Sequence, residues 1–86
     1  MSVYAVNRLI YDAAHDPAFR QQLLDDPAGT LSQRDVTEEE RAALLAADVG
    51  RLYRMGVLPF MLSYFPRFEL FGLDLEEFGR RMRAEA

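Results

Sequence analysis

Eighty-six residues, half of them apolar and 28% charged, suffice for one folded domain with one modest core and are too few for two. The absence of cysteine excludes disulfide frameworks, cysteine-ligated zinc, iron–sulfur clusters and thiol nucleophiles, and the lone histidine, His15, cannot by itself supply a histidine-based iron or zinc ligand set. A formal net charge of −4 offers no basic footprint, so nucleic acid is not expected as a partner.

In chain order, Val3, Val6, Leu9, Ile10 and Ala13 recur at intervals of three and four, which predicts a first helix of about three turns with one apolar stripe. The opening residues Met1–Tyr11 carry neither a basic leader nor a long apolar core, so a cytoplasmic address is expected. His15 falls at the end of this helix, a place suited to a capping or dipole role rather than to catalysis. Asp16-Pro17 and Asp26-Pro27 then open two short helices, because an aspartate satisfies free N–H groups and a proline is harmless in a first turn. Phe19, Leu23 and Leu31 anchor them. Thr37-Glu38-Glu39-Glu40 reads as a capping box for an alanine- and leucine-rich helix, in which the three carboxylates favour the helix dipole. Asp48 caps the next stretch, and Gly56 is placed to end it in the left-handed conformation.

Charge divides the chain unevenly. Nine carboxylates face three arginines between Asp12 and Asp48, whereas six arginines meet five carboxylates from Val49 onward. Most of the aromatic residues lie in that second half: Tyr53, Phe60, Tyr64, Phe65, Phe68 and Phe71 fall within nineteen positions. Pro59, Pro66, Arg67 and Glu69 interrupt the run, which is too short to span a membrane, so no membrane is expected. Two short helices are predicted instead, one opening at Pro59 and one after Pro66. The first is apolar on nearly every side, with Ser63 its only polar residue. A domain with an expected radius of gyration of about 12 Å has little interior for so many rings. Tyr53, Phe60, Tyr64, Phe65, Phe68 and Phe71 are therefore the candidate partner-facing residues, with Phe60, Tyr64 and Phe68 recurring every fourth position.

Asp74 and Glu77 suggest a second capping box, and Phe78 and Met82 face inward on the helix that follows. Arg80, Arg81 and Arg83 complement its C-terminal end. The reading is thus an all-α domain covering 1–86, a compact bundle of five to seven short helices delimited by Asp16, Asp26, Thr37, Asp48 and Asp74. Its expected core contains Val6, Leu9, Phe19, Leu23, Leu44, Leu52 and Phe78. No catalytic or metal-ligating constellation emerges from the residues.

Several segments carry a family resemblance: V-N-R-L at Val6–Leu9, D-P-A-F-R at Asp16–Arg20, D-P-A at Asp26–Ala28 and V-T-E-E-E-R-A-A-L-L at Val36–Leu45. D-V-G-R-L at Asp48–Leu52, M-G-V-L-P-F-M-L at Met55–Leu62 and L-D-L-E-E-F-G-R-R-M at Leu73–Met82 continue it over almost the whole chain. This order resembles the small LigA-type α subunit of class III extradiol ring-cleavage dioxygenases. The resemblance implies an accessory role in which Fe(II) and its histidine ligands belong to a larger partner subunit, with no cofactor on this chain. It implies docking on that subunit and help in closing its pocket. Val57, Leu58 and Ser63 depart from the polar residues that family members often carry after the glycine, which bears on substrate contact more than on docking. A leader-type docking module for a peptide-modifying enzyme and a homodimer are the alternative readings.

Overall fold

The computed structural model describes residues 2–84. α1 (Ser2–His15) buries Val6, Leu9, Ile10 and Ala13 completely, as their spacing on one helix face requires, and α2 (Pro17–Asp25) packs against it. Asp16 accepts from the Ala18 and Phe19 N–H groups at 3.1 and 3.2 Å, and Asp26 accepts from Gly29 N–H at 3.1 Å to start α3 (Pro27–Ser32). Both prolines sit where a missing N–H leaves no helical bond unmade. The Thr30 hydroxyl donates to the Gln22 carbonyl at 3.1 Å and ties α3 to the end of α2.

α4 (Glu38–Leu45) begins with the complete capping box, Glu40 N–H donating to Thr37 Oγ1 at 3.1 Å and Thr37 N–H to the Glu40 carboxylate at 2.8 Å. It ends with Ala47 at φ +52°, where Ala47 N–H reaches the Leu44 carbonyl and Asp48 N–H the Ala43 carbonyl. α5 (Val49–Arg54) ends by the same pair of bonds, from Gly56 N–H to Tyr53 and from Val57 N–H to Leu52, at 3.1 and 3.0 Å. Gly56 takes φ +105°, the left-handed conformation its position demanded.

α6 (Pro59–Leu62) and α7 (Tyr64–Phe68) abut at Ser63. The second helix therefore opens before Pro66 and not after it. Proline has no N–H to return to the Leu62 carbonyl, so the helix breaks one turn upstream and the ring is accommodated within the first turn of α7. With α6 and α7 taken as one broken helix, the described residues hold seven helices and no strand. A 3-10 turn (Leu70–Gly72) follows, with Glu69 and Phe71 both at positive φ, and α8 (Leu75–Arg83) closes the fold against α5 and α7.

Asp74 accepts from Glu77 N–H at 2.8 Å, but the Glu77 carboxylate does not return the bond. It turns to Arg80 and Arg81 instead, so this box is half formed. The core gathers α1, α4 and α5 with the buried side of α6 and α7, and includes Val6, Leu9, Leu23, Leu44 and Leu52. Phe19 and Phe78, expected inside, are only half-buried and pack on the edge of this cluster, because α2 and α8 lie on the outside of the bundle. The radius of gyration is 11.6 Å.

Candidate functional site

The six aromatic residues expected to face a partner do not act as one group. Phe65 is fully buried and its ring lies 5.8 Å from that of Phe71, so this pair belongs to the interior side of α7. Tyr53, 46% exposed on α5, makes no ring contact with the others. Phe60, Tyr64 and Phe68 do assemble: Phe60 meets Tyr64 edge-on at 5.4 Å, and Tyr64 stacks on Phe68 at 6.1 Å. Their four-residue spacing survives the break at Ser63. Tyr64, only 8% exposed, is the floor of this row, and Phe60, 67% exposed, is its outward member.

α1 extends the row, a contribution the sequence reading missed. The His15 ring contacts Tyr64 edge-on at 6.1 Å and stacks on Tyr11 at 4.1 Å, while its Nδ1 bonds the Tyr11 carbonyl at 2.9 Å. The outcome is a continuous aromatic strip, Tyr11–His15–Tyr64–Phe60 with Phe68, across α1, α6 and α7. Guanidinium groups border it: Arg8 lies over Tyr11 at 5.8 Å, and Arg20 and Arg67 lie over Phe68 at 4.2 and 5.7 Å. Arg20 also donates to the Ala13 and Ala14 carbonyls, sealing the C-terminal end of α1. The signal that could have revealed the α1 half is the i, i+4 pairing of Tyr11 and His15 on the side of the helix opposite its buried stripe.

The loop between α5 and α6 flanks this strip. Leu58 N–H donates to Asn7 Oδ1 at 3.2 Å, fixing the loop on α1, and Leu58 is exposed. Val57 is buried, and the Ser63 hydroxyl is spent on the Phe60 carbonyl at 2.5 Å. Of these three positions only Leu58 thus presents apolar surface, Val57 lying inside and the Ser63 proton being committed to the Phe60 carbonyl. What the strip offers chemically is contact area, π faces and exclusion of water, and its one imidazole, His15, has Nδ1 committed to the Tyr11 carbonyl.

Several other charged groups are engaged structurally. Arg81 donates across the fold to the Ala46 and Ala47 carbonyls at 2.9 and 2.7 Å, closing the open end of α4. Its bond to Glu77, with the neighbouring Arg80 charge, holds the Glu77 carboxyl below the usual carboxylate range. Arg8 and Arg34 both converge on Asp12, at 3.2 and 2.9 Å, beside a shallow pocket lined by Tyr4, Ala5, Gln33 and Asp35. Among the described residues no group of three or more histidine or carboxylate side chains could hold a metal ion, and no helix is long and apolar enough to cross a membrane. His15, with its ring packed between two tyrosines and the aspartates around it serving caps and ion pairs, does not fit an iron site.

Neither characterised proteins nor solved structures give a significant match to this chain. The family model of the LigA subunit of the aromatic-ring-opening dioxygenase LigAB matches residues 6–86, and the chain belongs to that small-subunit family.

Proposed function

We propose that this chain is a non-catalytic accessory subunit that docks through its aromatic strip on a larger, iron-dependent extradiol dioxygenase-type subunit and helps to close that subunit's active site. The observation that carries the reading is the exposed half of the strip. Phe60, Tyr11 and Leu58 are exposed around the buried Tyr64 ring, in a chain whose family is defined by partnership in a ring-opening enzyme. Because the flanking loop exposes the apolar Leu58 and the Ser63 hydroxyl donates to the Phe60 carbonyl, the part proposed for this edge is to cover the pocket and keep water out rather than to bind the substrate's polar groups. Iron, and the oxygen chemistry it supplies, belong to the larger subunit in this reading.

The test is co-expression of the chain with a large extradiol-type subunit encoded in the same genome. The expected result is a stable hetero-oligomer whose ring-cleaving rate exceeds that of the large subunit alone, while the small chain alone is inactive. A large subunit that neither co-elutes with this chain nor changes its rate in its presence would overturn the proposal. Sedimentation of the chain alone identifies the competing use of the same face, a homodimer.

A further inference from the structure

The borders of the strip mix arginines with the carboxylates Asp12, Asp16 and Glu69, and what sets them apart is which of these charges are already engaged: Asp12 in ion pairs and Asp16 as a helix cap. The chain has a net charge of −4, yet the cations nearest the aromatic row are arginines: Arg8 at the Tyr11 end, and Arg20 and Arg67 on Phe68. Arg8 is paired with Asp12. Arg20 and Arg67 have no carboxylate partner among the described residues, and Glu69, the carboxylate nearest to Phe68 in sequence, pairs with neither. Arg20 is held by the Phe68 ring at 4.2 Å and by its bonds to the Ala13 and Ala14 carbonyls through Nη1, while the exposed Arg67 reaches the same ring at 5.7 Å, and both keep donors to spare. Guanidinium groups without a carboxylate partner at the edge of an apolar patch are suited to carboxylates across an interface, where they set orientation and encounter rate more than final affinity.

We infer that the surface this strip docks on is an apolar seat with an acidic rim: the rings of Phe60 and Tyr11 enter the seat, and Arg20 and Arg67 meet aspartate or glutamate carboxylates beside it. The inference rests on the proposed partnership with a large ring-opening subunit and adds the chemistry of that subunit's docking face. It also gives the Phe68 end a function distinct from that of Phe60. The arginines steer and register the partner, and the rings hold it.

The test measures association and dissociation rates of the wild-type chain and of Arg67→Glu and Arg67→Lys with the purified large subunit, at low and high salt. Arg67 is exposed and makes no ion pair, so both variants should fold, which a thermal melt checks. The expected result is an association rate about tenfold lower for Arg67→Glu at low salt, a dissociation rate nearly unchanged, and a difference that fades at high salt. Arg67→Lys should retain most of the wild-type rate. Wild-type association that is indifferent to salt, or an Arg67→Glu variant that associates as fast as the wild type, would overturn the acidic rim while leaving the partnership intact. Failure of the wild-type chain to bind the large subunit at all would overturn the partnership itself.

Discussion

Phe60 and Phe65 lie five positions apart in a stretch with one polar residue, and nothing in the local pattern tells their environments apart. Three-dimensional packing does: Phe60 is 67% exposed and Phe65 fully buried. Phe65→Ala should therefore cost about 3–5 kcal/mol of stability, while Phe60→Ala should cost less than about 1 kcal/mol, both read from urea unfolding. Equal losses would mean that both rings serve the core. Gly56 makes a separate case at this scale. A methyl group there has room, its nearest neighbour being Val3 Cγ2 at 3.7 Å, so the cost of Gly56→Ala comes from the positive φ alone. A destabilisation of about 1 kcal/mol is expected, and a neutral effect would show that the turn can relax.

At the scale of elements, the helix starts with a side-chain cap were legible, whereas the uncapped start of α7, before Pro66 and not after it, and the helix contacts were not. Asp16, Asp26, Thr37, Asp48 and Asp74 all cap as their positions suggested, because capping is a bond between residues two or three apart and is written locally. The partner of Glu77 was misread although its competitors are just as local: two arginines one turn on compete for its carboxylate and win. Arg81 then joins α8 to the end of α4, a contact between residues far apart in sequence. Arg81→Ala should lower the melting midpoint by about 5 °C through loss of the Ala46 and Ala47 carbonyl bonds, and an unchanged midpoint would place the closure of α4 elsewhere. The same arginine sets a pH dependence. Because the folded Glu77 carboxyl titrates below its unfolded value, its contribution is complete above the ordinary glutamate range and is lost as pH falls through the lowered value. Acid should therefore loosen α8, and the loss should be smaller in Arg81→Ala, as melting midpoints measured between pH 6 and about pH 3 would show.

For the whole molecule, the mismatch between the number of rings and the available interior pointed to a surface role, and the position of Phe60, Tyr64 and Phe68 was legible from their spacing. The contribution of Tyr11 and His15 was not, since only the packing of α1 on α6 and α7 brings them to rings more than forty residues away. The same packing withdrew Phe65 from the surface and left Tyr53 by itself. Family membership supplies the context in which such a strip has a use, and the exposed half of the strip is the seat proposed for a partner. Amide hydrogen exchange on the chain, free and bound to the large ring-opening subunit, tests that location directly. Slowed exchange is expected in the C-terminal half of α1 and from Leu58 through Tyr64, with α4 unchanged. Protection confined to α3 and α4, with the aromatic strip exchanging as in the free chain, would contradict it.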